Sequence, residues 1–298
     1  MKKVLSLLLA VLMLATTAIA FSSCGKSNDD FVAVDATDLL KEDFGIAVKK
    51  NSPELLAAIN AVVDAWVADG TMTKYVDYYT ALADYAEKGG TAPDAGTLKT
   101  SWDFGSATEV ITVYTESGFA PFEFIYNNEV VGVDFAIMNQ VAVNMGKKVE
   151  VKDIAFDTIP TSVKSDTGLA VGAAGMTITD ERKQEVDFSS IYYSSTLVVV
   201  SAKDVAYDSV ADLAGLKVGV QEGTSGDLII SAAKTDAGYS YEVEKDDGTT
   251  ETIVVKAAGA EVSQYKQYAL ALADLKAGRI DAILMDKLPA QTMLSAAE

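Results

Sequence analysis

From residue 109 onward the chain alternates short apolar runs with stretches of helical periodicity, and this alternation restricts its fold more than any other feature. "VITVY", "VEV", "GLAVGAAG", "TLVVV" (196–200), "LKVGV" (216–220) and "RIDAILMD" (279–286) read as strands. Between them, 134–145, 157–164, 225–233 and 264–277 read as helices, the first and last closed by Gly146 and Gly278. Adjacent parallel strands need a crossover, which is usually a helix. The pattern therefore predicts an α/β architecture with mainly parallel sheets. The insert "YSYEVEKDDGTTETIVV" (239–255) has strand-like arms around Asp-Gly, which predicts a hairpin decorating the surface.

The segment before residue 109 fits that pattern less easily. "FVAV" (31–34) and "DFGIAV" (43–48) read as strands with no strand-rich sequence before them. Ser52 offers an N-cap, Pro53 suits the first helical position, and Glu54 favours the positive helix end. Leu55, Leu56, Ile59, Val62, Val63, Trp66 and Val67 follow at helical spacing up to Gly70. A second helix covers about 72–88 and stops at Gly89-Gly90. Residues 89–108 have linker composition, although Trp102 and Phe104 predict that part of it packs down.

The first 23 residues read as a signal peptide, with Lys2 and Lys3 ahead of the apolar run "VLSLLLAVLMLA". "AIA" (18–20) fits ordinary cleavage. "FSSC" (21–24) resembles a bacterial lipobox, with Phe21 in place of the usual Leu. The lipobox reading is preferred. Cys24 is the one cysteine in the chain and precedes a polar tether, so it is the expected lipidation site, and 24–30 is the tether. The other reading is a secreted protein with one stray thiol.

With 24 basic and 43 acidic residues the net charge is −19, which argues against nucleic acid or an anionic membrane surface as a partner. The chain has no histidine. Zinc sites and Ser-His or Cys-His catalysis are therefore disfavoured, and neither metal nor cofactor is expected.

Four stretches could carry chemistry at the carboxyl ends of strands, where parallel α/β sheets bind ligands. In "TESGFAPFEF" (115–124), Phe122 and Phe124 alternate into the fold, whereas Phe119 lies in a loop. In "GMTITDER" (175–182), Gly175 permits close backbone approach, and Thr179 and Asp180 can cap a short helix. Arg182 can grip a carboxylate with two parallel bonds, or simply pair at the surface with Glu181 or Asp187. "VQEGTSGD" (220–227) is a strand, a small-residue turn and a helix start, either an anion site or a plain N-cap; it lacks the spacing and lysine of a P-loop. "AILMD" (282–286) ends a buried strand on Asp286, which could bind an ammonium or cap the segment near Pro289. An arginine, backbone donors, an aspartate and aromatics together outline a site for a free α-amino acid.

"GFAPFEF", "GVDF", "GMTITDERKQEVDFSSIYYSS", "DLAGLKVGVQEGTSGD" and "AGRIDAILMD" resemble, in order, the family 3 extracellular solute-binding proteins of amino-acid ABC transporters. The resemblance covers nearly all of 109–298. It implies a type II periplasmic-binding-protein fold: two α/β lobes joined by two hinge strands and closing on a ligand. It also implies ligand residues. Arg182 would bind the α-carboxylate with the backbone N–H groups of Thr177 and Ser225. Asp286 would bind the α-ammonium with the Gly175 carbonyl and the Thr177 hydroxyl. Phe119 and Phe156 would sandwich the side chain, Glu116 would face its far end, and Gln221 and Thr224 would line the second lobe. The stretch 161–175 is longer than the family pattern, which leaves its strand register open. If Glu116 faces the ligand, a cationic or amide side chain is expected; if it faces solvent, it says nothing.

The resemblance also places "EDFGIAVKKNSPELLAAI" at the end of a family member's chain, whereas here it stands at the start. The expectation is a circular permutation bridged by 89–108. Lobe 1 is then 45–195, and lobe 2 is 29–44 with 196–298. A monomer is expected, with segment exchange between two chains as the alternative. The expected function is capture of a polar or cationic amino acid outside the cytoplasm, at the membrane, for delivery to an ABC permease. The alternatives are a cyclohexadienyl or arogenate dehydratase on the same scaffold, or a ligand sensor.

Overall fold

The computed structural model describes residues 26–245 and 248–295; the leader and Cys24 lie outside them. In chain order, β1 (Phe31–Asp35), β2 (Glu42–Phe44) and β3 (Ala47–Val48) precede α1 (Pro53–Ala68) and α2 (Thr71–Lys88). The single strand expected over 43–48 is thus two short ones. Gly45 and Ile46 break the ladder where the backbone passes from one partner strand to another. Ser52 makes no side-chain cap, and its carbonyl instead accepts the Leu56 N–H. Residues 89–109 form neither helix nor strand, yet Leu98, Trp102 and Phe104 pack on the core, and the Tyr75 hydroxyl donates to the Lys99 carbonyl.

The chain continues through β4 (Val110–Thr115), β5 (Gly118–Phe119), β6 (Glu123–Tyr126), β7 (Glu129–Val131), α3 (Val133–Asn144) and β8 (Lys148–Asp153). Then come α4 (Ile159–Ser165), β9 (Leu169–Gly172), α5 (Arg182–Glu185), β10 (Asp187–Phe188), β11 (Tyr193–Ser195) and β12 (Leu197–Ala202). The last third holds β13 (Lys217–Gln221), α6 (Ser225–Ala233), β14 (Tyr239–Glu244), β15 (Thr250–Val255), β16 (Glu261–Tyr265), α7 (Tyr268–Lys276), β17 (Ala282–Asp286) and α8 (Lys287–Ser295). The helix expected from 264 starts only at Tyr268, because 261–265 pairs in parallel with β13 as an edge strand. The hairpin β14–β15 also does more than decorate. Tyr239, Tyr241 and Ile253 pack on a core, and the Tyr241 hydroxyl donates to the Asp38 carbonyl.

Two five-stranded sheets form the two lobes, with strand orders β10-β3-β9-β4-β8 and β1-β12-β17-β13-β16. Parallel pairing extends over only half of each. β4 runs parallel to β8 and β9, and β13 to β16 and β17. The strands that cross between lobes are antiparallel, since one crossing runs out and the other back. β1 pairs with β12, β2 with β11 and β3 with β10, three antiparallel stretches that follow one another along the hinge. Period-2 alternation serves both faces of the central strands. In β12, Val198 and Val200 enter one core while Leu197 and Val199 enter another; in β17, Ile283 and Met285 oppose Ala282 and Leu284 in the same way.

Candidate functional site

A narrow cleft lies between the lobes, lined by Glu116, Phe119, Glu123, Phe156, Ala174, Gly175, Thr177, Arg182, Gln221, Thr224, Ser225 and Asp286. All ten residues singled out from the sequence are brought together there. They come from the carboxyl ends of β4, β8, β9, β13 and β17 and the segments that follow.

Arg182 is not a surface residue. It is 7% exposed, and its guanidinium donates to the Thr177 carbonyl at 2.7 Å and, across the cleft, to the Gly223 carbonyl at 2.9 Å. Its side chain lies over the Phe156 ring at 5.3 Å. Ahead of α5, which begins at Arg182, Thr179 Oγ1 accepts the Arg182 N–H at 3.2 Å. Burial lowers the Arg182 pKa, opposed by the charges of Glu42 and Asp286. Thr224 caps α6 by accepting the Asp227 N–H. The N-cap reading of that turn therefore holds, and the same residues also face the cleft.

Phe119 and Phe156 both line the cleft, and Phe119 also stacks across the interlobe boundary on Tyr268, with ring centroids 6.1 Å apart. The turn beneath it leaves no room for a side chain, since a Cβ on Gly175 (φ +52°) would lie 2.6 Å from the Phe119 ring. Glu116 points inward, and its two oxygens accept from Gln221 at 2.8 Å and Gln267 at 2.7 Å. Lys266 adds a further tie at the mouth, reaching Asp157 of one lobe and Glu222 of the other. The lobes are closed.

The cleft is acidic well beyond what the sequence suggested. Glu123 is 1% exposed, and neither of its oxygens has a hydrogen-bond partner among the described residues. Asp286 Oδ1 is likewise unpartnered. Burial pushes the Glu123 carboxyl well above its usual range, and the nearby charges of Asp134, Glu116 and Asp286 push it further. Burial does the same to Asp286, with Glu42 adding to it. Glu116 is raised by burial, against the pull of its two glutamine donors. Behind the wall, Asp134 accepts the Gly175 N–H at 3.0 Å, and burial raises it to about 7. Against these carboxyls the cleft lining supplies a single cation, Arg182.

Sequence reasoning missed Glu123, Ala174, Gln267, Tyr268 and Glu42. Glu123 did carry a signal, an acid between two core phenylalanines. Gln267 and Tyr268 carried none, because they were read as the interior of a longer helix.

Residues 111–285 match the bacterial extracellular solute-binding proteins, family 3. ABC transporter arginine-binding protein 1 of Escherichia coli (strain K12) is 31% identical over 191 residues, covering 63% of this chain and 68% of that one. Arginine-binding extracellular protein ArtP of Bacillus subtilis (strain 168) is 36% identical over 119 residues, 40% of this chain; the match spans 46% of ArtP, about half its length. Among solved structures, an ancestral arginine-binding protein bound to arginine superposes with a TM-score of 0.51 at 33% identity, covering 61% of this chain and 72% of that one. Holo ArgBP from T. maritima gives 0.52 at 30% identity, covering 62% and 73%. The family match, the two hinged lobes and the cleft between them agree: the chain is a member of the bacterial extracellular solute-binding proteins, family 3.

Proposed function

We propose that this protein captures a dibasic amino acid, of the arginine class, outside the cytoplasm and delivers it to an ABC importer without chemically changing it. The observation that carries the reading is Glu123, a buried carboxyl lining the cleft with both oxygens unpartnered. A second cationic group on the ligand would supply what that site lacks. Arg182 would take the α-carboxylate, helped by the backbone N–H groups of Thr177 and Ser225. Asp286, the Gly175 carbonyl and the Thr177 hydroxyl would take the α-ammonium. Glu116 and Glu123 would take the distal cation, between Phe119 and Phe156, with Gln221 and Thr224 along the second lobe. Several relatives are named as binding arginine or lysine/arginine/ornithine, which supports this choice. A dehydratase of the prephenate or arogenate type would have to place a ring carboxylate against these acids, which disfavours it.

The test is a thermal-shift and calorimetric screen of the amino acids plus ornithine. Arginine, lysine or ornithine should raise the melting temperature by linkage. Arg182→Ala and Asp286→Ala should each abolish the response. A screen with no dibasic response refutes the reading.

Chain order and attachment belong to the same proposal. Cys24 would carry a lipid anchor. The lobes would divide as 45–195, and 29–44 with 196–298, in a circularly permuted monomer. Asn28 Nδ2 donates to the Met293 carbonyl at 3.3 Å, so the start of β1 and the last helix are neighbours, as rejoinable ends must be. Moving 29–88 behind residue 298 should give a monomer with the same ligand. A dimer whose first segment packs in trans would sink the permutation.

A further inference from the structure

Among the described residues ahead of 109, Glu42 is the one buried carboxylate. It lies on hinge strand β2, outside the cleft lining, 9% exposed. β2 is held on both sides. It pairs with β11, while Gly45 N–H donates to the Met176 carbonyl and Ile178 N–H to the Asp43 carbonyl. Alternation along β2 sends Glu42 and Phe44 inward and leaves Asp43 to bond Ser194 at the surface. Phe44 is wedged among Phe119, Phe122, Tyr192 and Tyr193, so the register of Glu42 is locked by packing.

One oxygen of Glu42 receives two hydroxyls. Thr177 Oγ1 of the first lobe donates at 3.0 Å and Ser225 Oγ of the second at 2.5 Å. A hydroxyl has one proton and two acceptor sites. Once the Thr177 proton is committed to Glu42, the remaining lone pairs of Thr177 are left for the cleft. A ligand ammonium, which only donates, needs such an acceptor. The shared oxygen thereby joins Thr177 of the first lobe to Ser225 of the second, so the arrangement is complete only when the lobes are together. Burial raises the Glu42 carboxyl while Ser225, Thr177 and Arg182 lower it. The shared oxygen accepts in either protonation state, provided that any proton sits on the other oxygen.

We propose that Glu42 is a positioning residue for ligand recognition: from the hinge strand it orients the Thr177 hydroxyl as an acceptor for the ligand ammonium and ties that orientation to lobe closure through Ser225. The inference rests on the dibasic amino-acid reading above.

The test compares L-arginine with 5-guanidinopentanoate, which lacks the α-amino group, by titration calorimetry. Glu42→Met fills the same space without the acceptor. It should bind L-arginine at least about tenfold more weakly, the scale of one hydrogen bond to a charged group. It should bind the deamino analogue within about threefold of wild type. Glu42→Gln can place a carbonyl oxygen at the same point and should restore L-arginine binding to within about threefold. Thr177→Val, a substitution made outside the hinge strand, should reproduce the selective loss, and Glu42→Met should add nothing in that background. Equal losses for both ligands, a Glu42→Met variant with wild-type affinity, or a Glu42→Gln variant as poor as Glu42→Met would each overturn the inference. Failure of the wild-type protein to bind L-arginine at all would instead strike at the proposed function.

Discussion

Replacing Glu123 with glutamine tests the proposed specificity directly. This carboxyl is buried, has no hydrogen-bond partner among the described residues, and sits near the charges of Asp134, Glu116 and Asp286. A guanidinium entering the cleft would give it a partner. Removing one member of a buried pair costs about 3–5 kcal/mol. Part of that is offset here, because a carboxyl raised by burial must first lose its proton. The lower figure, about 3 kcal/mol, is therefore the better expectation, and at 1.36 kcal/mol per decade it weakens arginine binding ~150-fold. Affinity for glutamine, which brings no second charge, should change little. The proton makes a second readout. Binding a cation favours the ionised carboxylate, so wild-type protein should release protons on binding arginine, and its affinity should fall as pH falls. Calorimetry in two buffers of different ionisation enthalpy measures that release, which Glu123→Gln should diminish. A variant that binds arginine within about threefold of wild type, with unchanged proton release, would refute the reasoning.

Other outcomes follow from the same geometry. Gly223 has φ +77°, and a Cβ there would stand 2.8 Å from the Asp157 Cβ across the cleft, so Gly223→Ala should hold the lobes apart; small-angle scattering with saturating arginine should show a larger radius than wild type. Gly175→Ala should displace the Phe119 ring and cut arginine affinity by at least about tenfold, on the order of the ~1–3 kcal/mol of an overpacked site, as read by calorimetry. Asp134, with a folded-state value of about 7, keeps its proton where the unfolded chain has lost it. Ligand-free stability should therefore fall as pH rises from about 4 to about 7, by up to roughly 4 kcal/mol from this group alone. Denaturant titrations should show that slope and a shallower one for Asp134→Asn.

Much of this protein was legible in its sequence because the signals were local. Strand and helix periodicity, the glycines that close α3 and α7, and the positions of Arg182, Thr224 and Asp286 at strand ends all depend on neighbours within a few residues. Those positions were enough to assemble a cleft on paper, and the structure brings every one of them to it. What local pattern could not show was pairing between distant segments. β16 was hidden because a short half-exposed edge strand running into a helix has the same apolar content as a longer helix. The antiparallel half of each sheet was hidden because hinge strands take their direction from where the chain has to return. Tyr268 came to face Phe119 only through the meeting of two lobes. Glu42 carried no signal in the sequence, and tertiary structure made it a buried carboxylate touching both lobes. Local sequence determined the elements and put forward Phe119, Gly175, Arg182 and Asp286, since conformational preference and chemistry act over a few bonds, while the family resemblance supplied the other site residues. Which carboxyls are buried, unpaired and gathered around one arginine was decided only when the lobes closed over them, because burial and charge act through space.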